Sequence, residues 1–121
     1  MRTILVVDDE FDIAETLKSY LEIEGYRAIV AFDGRDALHK AIESKPDLIL
    51  TDMMMPHMDG SELIARVRSS PAIDGTPIIV MSAVERLEEL DVPFFRKPFD
   101  PAELVAEIRR QLGEDNGARA S

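Results

Sequence analysis

Short apolar runs, each followed by polar residues and then by apolar residues at helical spacing, limit the fold of this chain more than any other feature. The first run, Ile4-Leu5-Val6-Val7, is rich in β-branched residues and reads as a strand buried on both faces. Ile13, Leu17, Tyr20 and Leu21 then share one helical face, which stops at Gly25. Ala28 to Phe32 reads as a second strand. Ala37, Leu38, Ala41 and Ile42 mark a second helix, ended near Pro46. Leu48-Ile49-Leu50 is a third buried strand. Asp59 with Glu62 three residues later is a capping-box pattern, opening a helix with Leu63, Ile64 and Val67 inward. Ile78-Ile79-Val80-Met81 is a fourth strand, and Phe94-Phe95 lie in a short fifth one. Asp100-Pro101 with Glu103 predicts a final helix with a cap, a first-position proline and an early acid. Its buried stripe is Leu104, Val105, Ile108 and Leu112, and Gly113 ends it.

Strand and helix alternate five times. Buried strands between amphipathic helices predict an α/β fold, with a parallel sheet covered on both faces. The expected architecture is a doubly wound (βα)5 sandwich with the flavodoxin-like strand order 2-1-3-4-5. A length of 121 residues with 45% apolar content suits one domain around one core. The expected domain covers residues 1–113, and the small, polar stretch 114–121 is expected to be a disordered tail. The formal net charge of −10 repels a phosphate backbone and argues against direct nucleic-acid binding. No cysteine is present, which excludes disulfides and thiolate metal sites. No apolar run is long enough to span a membrane. The first apolar run is too short for a signal peptide, and acids follow it. A cytoplasmic location is the resulting expectation.

Open α/β sheets bind ligands beyond the carboxyl ends of their strands. There the chain carries Asp8-Asp9 after strand one, Thr51-Asp52 after strand three, Ser82 after strand four and Lys97-Pro98 after strand five. Strand two ends less distinctively, in Phe32-Asp33. Singly, these read as solvated acids, a helix cap and a surface lysine; their joint placement on strand ends is what points to chemistry. Three close carboxylates repel one another, and a hard divalent cation removes the conflict. Oxygen-only ligands point to Mg2+, with Mn2+ as a substitute. Phosphate oxygens commonly complete such a site. Asp52 would then attack phosphorus, with Mg2+, Lys97 and Ser82 neutralising and hydrogen-bonding the transferred oxygens.

These residues resemble the receiver domain of two-component response regulators. The resemblance runs from Thr3 to about Leu112. Its carriers are Val6-Val7-Asp8-Asp9-Glu10, the stretch from Pro46 to Gly60 around Asp52, Met81-Ser82-Ala83, and Arg96-Lys97-Pro98-Phe99. It implies that Asp52 is the phosphoacceptor and that Asp8 and Asp9 are Mg2+ carboxylates. Met54 would add a backbone carbonyl to the metal. Ser82 would swing toward the phosphoryl group, Lys97 would pair with it, and Phe94 would be an aromatic rotamer switch. Pro98 matches a proline commonly preceded by a cis peptide, and Pro56 and Gly60 match the turn after the phosphorylated strand. The implied phosphodonor is a histidine kinase or a phosphotransfer protein, and the implied output is a changed affinity for a downstream protein partner.

Three features depart from that pattern. Only Ala83 to about Asp91 connects strands four and five, whereas a crossover usually takes at least about 10–12 residues. The fourth helix is therefore expected to be barely two turns, within Glu85 to Leu90, or partly unwound. Either the face that usually dimerises is remodelled, or a surface helix is trimmed without consequence. Phe94 fits the switch by its offset from Lys97, but Phe95 competes for the role, since strand alternation puts the two on opposite faces. Met54 and Val84 could flank the phosphoryl group, and neither can orient an attacking water. His57 reads as a surface-loop histidine.

The leading expectation is a phosphorylation-controlled switch of protein binding, not an enzyme. An aspartyl-phosphate phosphohydrolase would need a second carboxylate two residues after the nucleophile, where this chain has Met54. A receiver-like adaptor working without phosphorylation is the other alternative.

Overall fold

The computed structural model describes residues 1–83 and 91–114. The expected helix at Glu85 to Leu90, Val84, and residues 115–121 of the expected tail lie outside the described residues.

Each apolar run forms a strand: β1 (Thr3–Val7), β2 (Arg27–Ala31), β3 (Leu48–Asp52), β4 (Ile78–Ser82) and β5 (Phe94–Arg96). All pair in parallel in the order β2-β1-β3-β4-β5, the flavodoxin-like order expected. The helices among the described residues are α1 (Phe11–Ile23), α2 (Gly34–Ser44), α3 (Gly60–Arg68) and α4 (Pro101–Gln111). β2 starts and stops one residue earlier than its hydropathy suggests. Phe32 leaves the ladder because Asp33 turns to cap α2, accepting the Asp36 N–H at 2.8 Å.

Caps delimit the helices. The Asp59 carboxylate accepts the Glu62 N–H at 3.0 Å, and that of Asp100 accepts the Ala102 N–H at 2.9 Å. The reciprocal half of the capping box is replaced: the Glu62 carboxylate reaches forward to Arg66 at 2.9 Å. Gly25 has φ +99°, a conformation that L side chains rarely adopt, and it turns the chain from α1 into β2.

Alternation along the strands divides the core into two layers. Ile4, Val6, Leu48, Leu50, Ile79 and Met81 pack against Leu17 and Leu21 of α1 and Leu104, Val105 and Ile108 of α4. On the other face, Leu5, Val7, Ile49, Ile78 and Val80 meet Ala37 and Ala41 of α2 and Leu63 and Val67 of α3. Phe94 joins this second layer and Phe95 the first, where its ring meets Phe99 edge-on at 5.9 Å. Ile42, expected on the inward stripe of α2, is exposed instead. The two alanines bring α2 close to the sheet, and each residue one position on is turned by about 100° toward the groove against α3.

Beyond the end of α4, Glu114 is held by the residues just before β1 and β2. It pairs with Arg2 at 3.1 Å and accepts the Tyr26 hydroxyl at 3.0 Å. No helix among the described residues is long and apolar enough to cross a membrane.

Candidate functional site

The strand order brings four polar ends side by side. Asp8 and Asp9 follow β1, Asp52 ends β3, Ser82 ends β4, and Lys97 follows β5. One carboxylate oxygen from each of Asp8, Asp9 and Asp52 lies within 4.8 Å of the others. It is the sole such metal-capable cluster among the described residues. Asp8 is fully buried and Asp52 nearly so, while Asp9 faces solvent.

Asp8 is the best-anchored member. One oxygen accepts the Glu10 N–H at 2.9 Å, and the other accepts the Lys97 ammonium at 3.0 Å. The same Nζ stands 3.6 Å from Asp52. Lys97 is fixed through its backbone as well, since its N–H donates to the Ser82 carbonyl at 2.7 Å and extends the β4–β5 ladder. The Lys97–Pro98 peptide is cis. Ser82 is fully buried at the floor of the site.

Burial pushes the Asp52 carboxyl above the usual carboxylate range. The Lys97 charge opposes this, the Asp8 charge adds to it, and backbone hydrogen bonds from Met54 and Met53 oppose it. For Lys97, burial acts first and favours the neutral amine. The hydrogen bond to Asp8 and the charges of Asp52, Asp8 and Glu10 together outweigh it and raise its pKa.

The donor set fits a hard divalent cation. Three carboxylates against one ammonium leave an excess of negative charge in a mostly buried pocket, and every available ligand atom is oxygen. Mg2+ suits both facts.

The loop after β3 is held tightly against the site. The Gly60 N–H donates to the Met53 carbonyl at 2.8 Å. A Cβ at Gly60 would lie 3.0 Å from the Asp52 carbonyl oxygen and 3.0 Å from the Met53 Cα, so only glycine fits without displacing backbone. Met54 is exposed, as is His57, which has φ +70° and lines the groove between α2 and α3. Phe94 lies on the α2/α3 face of β5, opposite Val80 in the middle of β4.

Two contacts were not anticipated from the sequence. The Glu10 amide orients Asp8, and Phe11 stacks on Phe32 beside the acids with ring centroids 5.6 Å apart. The available signal was the pair of aromatics placed off the helical stripe, next to strand ends.

Fold and site together define a doubly wound α/β domain with an acidic pocket at its switch point. The profile of the response regulator receiver domain matches residues 4–109, and the chain belongs to this family. Response regulator GtcR of Aneurinibacillus migulanus is 40% identical over 118 residues, covering 92% of this chain and 48% of that protein. Response regulator MprA of Mycolicibacterium vanbaalenii is 38% identical, covering 98% of this chain and 54% of that protein. The chain thus spans about half the length of the curated relatives it matches. Among solved structures, chemotaxis protein CheY4 of Vibrio cholerae superposes with a TM-score of 0.86 at 32% identity, covering 93% of this chain and 99% of that one. The domain is therefore a receiver of two-component signal transduction, a family marked by aspartate phosphorylation and Mg2+ binding in an acidic pocket.

Proposed function

We propose that Asp52 is the phosphoacceptor of this receiver and that Asp8, Asp9, Asp52 and the Met54 carbonyl hold Mg2+. The observation that carries this reading is the convergence of the three carboxylates within 4.8 Å, with Lys97 bridging Asp8 and Asp52. The donor is a phosphohistidine on a histidine kinase or phosphotransfer protein. An Asp52 oxygen forms a bond to phosphorus as the donor's P–N bond breaks, and the leaving imidazole nitrogen takes a proton. When bound, Mg2+ supplies positive charge against the phosphoryl oxygens and the carboxylates. Lys97 offers an ammonium to the same oxygens, at the cost of its contact with Asp8. Ser82 offers a hydroxyl from the floor.

Ser82 moving toward the phosphoryl group leaves space that Phe94 fills from the α2/α3 face, which changes the surface near β5. That two-state element alters affinity for a downstream protein. The domain catalyses no turnover of its own; Met54 stands where a phosphohydrolase would need its general acid. The formal charge of −10 disfavours direct contact with nucleic acid, and the reading places the domain in the cytoplasm with its donor.

Incubation with Mg2+ and acetyl phosphate, followed by intact-mass measurement, tests this. The wild type should gain one phosphoryl equivalent and Asp52→Ala none. Equal labelling of Asp52→Ala would overturn the assignment. Continuous release of inorganic phosphate from a phosphatase substrate would favour an enzyme, and partner binding unaffected by phosphorylation would favour an adaptor.

A further inference from the structure

We infer that Phe11 and Phe32 are positioning residues for the cation, their stacked rings holding the turn that carries Asp9 over the pocket. The inference rests on the proposed reading of Asp8, Asp9 and Asp52 as cation ligands. Asp8 and Asp52 are each fixed by direct contacts. Asp8 accepts from Glu10 and Lys97, while Asp52 belongs to β3 and faces Lys97. Asp9 is exposed and, among the described residues, has no hydrogen bond or ion pair of its own. Its place is set by the backbone on either side.

On the amino side, the Asp8 N–H donates to the Ala31 carbonyl at 3.1 Å, continuing the β1–β2 ladder by one rung. On the other side α1 begins at Phe11, and here the chain differs from its other described helices. α2, α3 and α4 each start on an aspartate whose side chain caps a backbone N–H. The N-cap of α1 is Glu10, which makes no side-chain cap bond. Beside the local bond from the Glu10 N–H to Asp8, the start of α1 is tied to the end of β2 by the Phe11 ring, stacked on Phe32 at an interplanar angle of 27°. Phe32 directly follows Ala31, the residue that receives the Asp8 N–H. The ring pair therefore closes a short circuit through the end of β2, the last ladder rung, the acidic turn and the start of α1. Asp9 sits inside that circuit. The rings remain 60% and 38% exposed, so core burial does not account for their placement.

Mg2+ titration of the full chain by calorimetry tests this, with thermal melts in Mg2+-free buffer alongside. Phe11→Ala and Phe32→Ala should each weaken Mg2+ binding by about two- to tenfold, the range of one aromatic pair. The double variant should lose no more than either single one, because each substitution already removes the stack. Phe32→Tyr should bind like the wild type, and Ile23→Ala, an exposed residue at the far end of α1, should be neutral. A purely structural role would lower the melting temperature and leave Mg2+ affinity in place. Unchanged affinity in the single variants, additive losses in the double one, or Phe32→Tyr as weak as Phe32→Ala would each overturn the inference. A wild-type chain that binds no Mg2+ would overturn the ligand assignment, and this inference with it. Wild-type binding with unaffected variants would overturn only the positioning role.

Discussion

Lys97→Met removes the ammonium that faces both Asp8 and Asp52. Asp8 is fully buried and loses a partner at 3.0 Å, keeping only the Glu10 N–H at 2.9 Å. Breaking a buried pair from one side costs about 3–5 kcal/mol, because the remaining charge stays buried without compensation. Asp9 lies at an exposed mouth, through which water reaches the pocket, so the lower end, about 3 kcal/mol, is expected. For a domain of this size that lowers the melting temperature by roughly 10–15 °C. The deficit is a missing positive charge, so a divalent cation should repair it. At roughly 100 times its dissociation constant, Mg2+ adds about 2.7 kcal/mol to any chain that binds it only when folded. Without Lys97 competing for the carboxylates, Mg2+ binds the variant more tightly and stabilises it more than the wild type. Melts of both proteins with and without Mg2+ measure this directly. Lys18→Met is the control: its pair with Glu22, at 3.8 Å, is exposed, and its loss should cost no more than about 0.5 kcal/mol. The reasoning fails if Lys97→Met is as harmless as Lys18→Met, or if Mg2+ leaves the gap between wild type and variant unchanged.

Met54→Asn places a polar group two residues after Asp52 and should shorten the lifetime of the phosphorylated domain by about tenfold or more, followed as loss of the phosphoryl mass. An unchanged lifetime would exclude a role for that exposed side chain in water access. Tyr26 has its phenol pushed above the ordinary 10.0 by burial first and then by its bond to Glu114, with Arg109 opposing. The folded state therefore holds the phenolic proton more tightly than the unfolded chain does. This contribution is fully present below pH 10.0 and is lost as pH rises through the folded value. Urea melts at rising alkaline pH should show that loss in the wild type and not in Tyr26→Phe; the same slope in both would refute it. Asp59→Ala removes the cap of α3 and should cost about 1 kcal/mol in urea unfolding without changing Mg2+ affinity.

The strand pattern carried most of the fold into view, because a parallel sheet buries both faces and its strands must be nearly all apolar. The same rule exposed the site, since polar residues directly after such runs have only the carboxyl edge to occupy. What periodicity could not supply was the assignment of faces. Phe94 and Phe95 separate by simple alternation, yet which of them meets α2 and α3 depends on how the helices distribute across the sheet. The outward turn of Ile42 has a similar origin: a stripe containing two alanines is satisfied by close approach, and the larger neighbours are displaced from it. Lys97 stands closer to Asp8 than to Asp52, by 3.0 Å against 3.6 Å, and nothing in the spacing of these residues along the chain ranks those two contacts. The Phe11–Phe32 stack was hidden for another reason. It joins the first residue of α1 to the residue that follows β2, so the contact belongs to no local repeat.

β5 has three residues and, among the described residues, pairs only with β4, at the edge of the sheet, and Lys97 hangs from its end. Local opening takes from almost none to all of the global unfolding free energy, and a short edge strand is expected below the central strands. An opening of β5 should withdraw the ammonium from Asp8, leaving it the Glu10 N–H, and closing should restore it. Amide exchange along Phe94–Arg96 and the charge balance around Asp8 are thus two readouts of one equilibrium. Whatever neutralises the acids in place of Lys97 should remove one of the contacts that hold this edge, leaving its ladder to β4 to hold the rest.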